Sequence, residues 1–159
     1  MKTANEIQNE LSQYYGTEGY RFNSITKMAG MVYTDGVKAM ADLCGAWWLV
    51  DAIASHQPKA MKDPMLRDMQ FWTLKRIPEE PEPGLNTLGA VLKTKNGGKR
   101  KPAAILICER DSGDVAIKQE LEYTDFPLDE IKIWLEAGGT SFGDGVQRRV
   151  MVAMLPSER

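Results

Sequence analysis

A tripeptide used twice constrains this chain more than anything else in it. Tyr33-Thr34-Asp35 and Tyr123-Thr124-Asp125 each close a strand-like run and precede a stretch with helical periodicity. Thr and Asp at such a junction accept hydrogen bonds from the first free N–H groups of a helix, so both copies are expected to be helix N-caps. The chain is thus expected to pass from strand to helix at two marked places. The tripeptides belong to architecture, and no catalytic signature accompanies them.

A chain of 159 residues favours a single globular domain over 1–159, with roughly 70% of the unfolded surface buried. A hydrophobic share of 43% against 26% charged residues is too apolar for a disordered chain. The net charge of -2 gives no general attraction to nucleic acid or to anionic membranes. No apolar run approaches the roughly 20 residues of a membrane span. The opening Met1-Lys2-Thr3-Ala4-Asn5-Glu6 leads into an acid-bearing amphipathic stretch and does not resemble a secretory signal. Cys44 and Cys108 sit inside apolar segments, which favours reduced core thiols in a cytoplasmic protein over a disulfide.

Residues 3–15 place Ala4, Ile7, Leu11 and Tyr14 or Tyr15 on one stripe, with Gly16 as a C-terminal cap, and predict a short helix. Residues 20–33 predict a hairpin or two short strands. From Val37 to Ser55 the apolar residues recur at helical spacing around a long central helix. Gly45 in its middle marks a kink, a close crossing or a join between two helices. Pro58 ends that element. Residues 69–77, 103–109 and 115–123 read as strands, the last two joined through Asp111-Ser112-Gly113-Asp114. Pro127 to Ala137 is expected to be a helix buried through Leu128, Ile131, Trp134 and Leu135, stopped by Gly138-Gly139. Val150 to Leu155 is a last strand. The fold class is α+β: a mainly antiparallel sheet of four or five strands, with a long central helix and two shorter helices packed on one face. A Pro-rich and basic excursion at about 78–102 interrupts it.

Few residues invite a chemical reading. His56 is the single histidine, so sites built on two histidines are excluded. Its spacing of five from Asp51 is poor for contact on one helix face. Asp51 lies in the apolar run Trp48-Leu49-Val50-Asp51-Ala52-Ile53 and must reach solvent or a partner such as Arg67 or Arg110. The sharper alternative makes it a site carboxylate in a cleft walled by Trp47 and Trp48. Two scattered cysteines and one histidine make no zinc pattern, and no nucleotide-binding glycine motif is present, so neither metal nor cofactor is expected. Lys93, Lys95, Lys99, Arg100 and Lys101 form a basic cluster able to meet phosphates, although no aromatic is interleaved to stack on bases.

The pieces Tyr-Thr-Asp-Gly-Val-Lys (33–38), Gly-Ala-Trp-Trp-Leu (45–49), Asp-Ala-Ile-Ala-Ser-His-Gln (51–57), Gln-Phe-Trp (70–72), Glu-Arg-Asp-Ser-Gly (109–113) and Tyr-Thr-Asp-Phe-Pro-Leu (123–128) carry a resemblance. The chain resembles an uncharacterised family of small bacterial proteins often carried by phages, plasmids and integrated elements. The resemblance implies no activity and assigns no site residue. The expectation is a non-enzymatic cytoplasmic accessory protein that binds another protein, with a nucleic-acid-binding accessory working through residues 93–101 as the alternative. A third reading is a small enzyme built on Asp51, His56 and the Thr-Asp caps, which a closed pocket uniting Asp51, His56 and Arg110 would favour.

Overall fold

The computed structural model describes residues 2–16, 19–78 and 102–159. Helices α1 (Ala4–Leu11) and α2 (Ser24–Met28) precede strand β1 (Met31–Tyr33), then α3 (Asp35–Cys44), α4 (Trp47–Ser55) and α5 (Gln57–Ala60). Strands β2 (Met69–Arg76), β3 (Ala104–Glu109), β4 (Val115–Leu121), β5 (Glu130–Thr140) and β6 (Arg148–Met154) follow, and a 3₁₀ turn covers Pro156–Glu158. The architecture is α+β. The basic cluster Lys93, Lys95, Lys99, Arg100 and Lys101, and with it most of the 78–102 excursion, lies outside the described residues.

The sheet is larger and less uniform than expected. Among the described residues six strands lie in the order β1-β6-β5-β2-β3-β4. Met31, Val32 and Tyr33 pair in parallel with Met151, Val152 and Ala153, while the other neighbours run antiparallel. The sheet is therefore mixed, not one of four or five antiparallel strands. Its extra member comes from the segment expected to be a helix at 127–137. That segment is β5, whose backbone hydrogen-bonds to β2 on one side and β6 on the other, through Gly138 and Gly139 to Thr140. A residue flanked by two strands satisfies both of its backbone groups across the sheet, and this outweighs a helical spacing of apolar side chains.

The two tripeptides separate accordingly. Thr34 caps α3, its hydroxyl accepting from the Val37 N–H at 3.3 Å. Thr124 caps no helix; its hydroxyl accepts from the Phe126 N–H at 3.1 Å in a turn before β5. The long central helix is two helices. Gly45 takes the left-handed conformation (φ 59, ψ 38) that ends α3, which a side chain would resist. Residues 24–28 are helical because Asn23 and Thr26 cap each other across the first turn at 2.9 Å both ways, so the expected strand there gives way to α2.

One face of the sheet buries the helices. Val37, Met40, Ala41, Leu49, Val50 and Ile53 share a core with Trp72, Leu74, Leu106, Cys108, Ile133 and Leu135. A smaller cluster on the opposite face holds Val32, Val150, Val152 and Met154, with Trp134 and Phe142 against it, and no helix residue belongs to it. A last lock closes the fold. Glu158, 5% exposed, accepts from the Thr34 hydroxyl at 2.6 Å, from the Gly36 N–H at 3.2 Å and from the Leu155 N–H at 2.9 Å. A carboxylate at that place answers the positive end of α3.

Candidate functional site

The residues singled out from the sequence are placed in separate pairings. Trp47 donates its indole N–H to Asp42 at 2.9 Å and packs edge-on to Tyr33. Trp48 faces Phe126 edge-on at 6.4 Å. Arg110 holds Asp63 at 2.6 Å and Asp114 at 3.0 Å, and its guanidinium keeps the Asp63 carboxyl below the usual range. Asp51 is part-exposed on α4, so water can satisfy its charge.

His56 stands at the end of a buried polar chain. Its ring stacks on Trp72 at 5.6 Å and 29°, and its Nε2 lies 2.7 Å from Gln119 Oε1. With the Gln119 amide oxygen facing the ring, Nε2 is the donor of this pair. Trp72 in turn donates to Gln70 Oε1 at 2.7 Å, and the buried Gln70 and Gln57 amides bond each other reciprocally at 2.9 and 3.0 Å. Among the described residues no buried side-chain nitrogen or oxygen lacks a hydrogen-bond partner, as burial demands. Sequence reading found His56 but missed Gln57, Gln70 and Gln119, which carry no local pattern that pairs them.

The thiols are also accounted for. Cys44 and Cys108 are free and buried, and burial pushes their pKa values up to about 11 and about 12. Both should label slowly in the native protein at neutral pH and rapidly in denaturant. The same shift favours the folded state fully below the ordinary thiol pKa of about 8.5, and that contribution declines as pH rises past it. Fast native labelling of both thiols in a thiol-reagent time course would contradict the placement. Among the described residues no group of three or more His, Cys, Asp or Glu is arranged to hold a metal ion.

Two surface clefts are open. One of about 420 Å³ lies between α1 and α3 and is lined by Glu10, Tyr14, Arg21, Asp35, Lys38 and Asp42. Its charges answer each other, in the pairs Arg21–Asp35 and Lys38–Asp42. The other, about 310 Å³, is bounded by Leu11, Leu128, Ile131, Leu155 and Pro156.

A further candidate surface is the half of the sheet opposite the helices. Alternation along each strand sends Phe71 and Thr73 of β2, Ile105 and Ile107 of β3 and Trp134 of β5 to that side. All five are part-exposed. Phe71 and Trp134 meet edge-to-face at 5.4 Å and 86°. Around them stand Lys75, Lys118 and Lys132 against Glu109, Glu120 and Glu130, so the rim is balanced in charge. Glu136 is taken up by Arg159 at 3.5 Å.

Fold and surface together define a one-sided α+β sheet protein, with helices on one face and an apolar centre in a mixed-charge rim on the other. A family model, Family of unknown function (DUF6876), matches residues 5–159, and the chain belongs to that family. No curated protein and no solved structure matches the chain. Among the described residues no helix is long and apolar enough to cross a membrane.

Proposed function

We propose that this protein is a non-enzymatic interaction protein that binds a protein partner through the open face of its sheet. It would act in the cytoplasm as an accessory factor of the kind carried by mobile genetic elements. The observation that carries the reading is the composition of that face. Phe71, Trp134, Ile105 and Ile107 make an aromatic and branched centre, and lysines and glutamates alternate around it. An apolar centre with a polar rim is the anatomy of protein interfaces. A nucleic-acid surface would instead carry an excess of Lys and Arg, which the balanced rim lacks. The engagement of His56, Arg110 and Trp47 in structural pairings supports binding over catalysis in the same way.

The test is cross-linked affinity capture from the native host with three baits: wild type, Ile107→Lys on the open face, and Lys59→Glu on α5. Ile107→Lys should keep the far-UV spectrum and melt as one transition, because its side chain already touches solvent. A stoichiometric protein partner should be retained by wild type and Lys59→Glu and reduced roughly tenfold or more with Ile107→Lys, as for loss of a central contact. Capture indifferent to Ile107→Lys, or abolished by nuclease, would overturn the reading.

A further inference from the structure

The outer edge of β4 carries a self-complementary pattern that shares only the rim residues Lys118 and Glu120 with the open face. Among the described residues β4 pairs with β3 alone and ends the sheet. Which of its backbone groups are free follows from the hydrogen-bond parity. The Ile77 N–H donates to the Ala103 carbonyl, so the odd-numbered residues of β3 turn their backbone groups to β2 and Ala104, Leu106 and Cys108 turn theirs to β4. Their partners Leu121, Gln119 and Ile117 point inward, which leaves the N–H and C=O groups of Lys118 and Glu120 on the free edge. Both side chains are exposed, at 55% and 60%, lie on the open face and approach each other along the strand at 3.8 Å, a solvent-screened pair that a facing strand can rearrange. Val115 and Tyr123, at 45% and 81% exposure, stand just beyond the two ends of this segment.

We propose that β4 pairs antiparallel with β4 of a second copy of this chain, about a two-fold axis at Gln119. That register sets each Lys118 opposite the second copy's Glu120 at the two hydrogen-bonded positions. It also sets each Ile117 opposite Leu121 on the core face. Neighbouring registers that keep the same backbone parity are worse. An axis at Lys118 opposes two lysines, one at Glu120 opposes two glutamates, and one at Leu121 opposes Glu120 to Glu122. An axis at Ile117 runs into the extra residue, Ala116, where the register with β3 shifts. Isologous contact requires a patch that complements itself, and one register on this edge does. The strand is short, so the dimer is weak and concentration-dependent.

Charge reversal tests this without touching the core. Sedimentation equilibrium should find wild type reversibly dimeric in the high-micromolar range. Lys118→Glu alone and Glu120→Lys alone should each weaken the dimer by roughly tenfold or more, because two attractive cross-strand pairs become repulsive. Mixed in equal amounts the two variants should restore it as a heterodimer, with opposite charges again facing at both positions. Under mild oxidation Gln119→Cys should form an inter-chain disulfide, since facing residues in a non-hydrogen-bonded pair have Cα atoms about 4.5 Å apart, within disulfide reach. Lys118→Cys should not, because it faces position 120. A wild type that stays monomeric would overturn the proposal. So would single variants that dimerise like wild type, a mixture that fails to recover, or cross-linking of Lys118→Cys in preference to Gln119→Cys. In those cases Lys118 and Glu120 guard a solitary edge, as charges on edge strands do elsewhere.

Discussion

Replacing Trp72 by alanine should cost about 4 kcal/mol of folding stability, a large part of the roughly 5–15 kcal/mol that a domain has in total. Trp72 is 1% exposed in the core between the helices and β2. Removing its indole opens a cavity and takes away the stacking surface of His56 and the N–H that Gln70 Oε1 accepts. Trp72→Phe keeps an aromatic ring against His56 and loses the donor. Gln70 Oε1 still accepts from Gln57, so that variant should cost about 1–2 kcal/mol, near the value of one buried hydrogen bond with some lost packing. Urea unfolding should show the midpoints falling in that order at constant slope. A loss below about 1 kcal/mol for Trp72→Ala would contradict the packing, since filled core positions do not give so little.

Glu158→Ala should cost about 3 kcal/mol, because three buried donors lose one acceptor group. Those donors are the Thr34 hydroxyl and the N–H groups of Gly36 and Leu155. Glu158→Gln is the informative companion. One amide oxygen can replace the Oε1 that Thr34 and Leu155 share, but the amide nitrogen then confronts the Gly36 N–H, donor against donor. It should fall between wild type and alanine. Gly36→Ala approaches the same lock from the other side, since a Cβ there would collide with Glu158 Oε1. The carboxylate would have to leave, so this variant should lose about as much as Glu158→Ala. Combining Thr34→Ala with Glu158→Ala should cost clearly less than the sum of the two, as expected for partners in one network. Additive losses, or a neutral Gly36→Ala, would show that the lock does not form.

The legible parts of the fold were those with a local cause. Val115 to Leu121 and Ala104 to Glu109 show themselves through alternation or through a run of branched residues. Thr34 shows itself through capping. The misreading at 127–137 has an equally specific cause. Ile131, Ile133 and Leu135 do alternate towards the core, but Trp134 is apolar on the open side. That extra apolar residue fills a helical stripe with Leu128 and Ile131 and hides the period of two. A strand wetted on one face reads clearly, whereas one with apolar residues on both faces resembles a helix. Of the candidate residues, His56 and Arg110 were visible as types, but Gln119 and Asp63, which decide what they do, lie 63 and 47 residues away. Glu158 gave no sign at all, two of its three partners being 122 and 124 residues upstream. The pairing of β1 with β6 is of the same long-range kind.

That pairing has a consequence for the order in which the molecule is made. Apart from the bridge between Tyr33 and Arg21, β1 pairs among the described residues with residues 151–153, and the buried carboxylate that meets the first turn of α3 comes from residue 158. During synthesis the segment 31–44 therefore emerges with an uncovered strand and a half-capped helix, and waits for more than a hundred further residues before either is satisfied. Contacts so distant along the chain are slow to close, and a waiting strand edge invites wrong partners. This part of the fold is therefore completed only once residues 151–158 are available. A nascent chain stalled before β6 should be the species most open to chaperones and proteases.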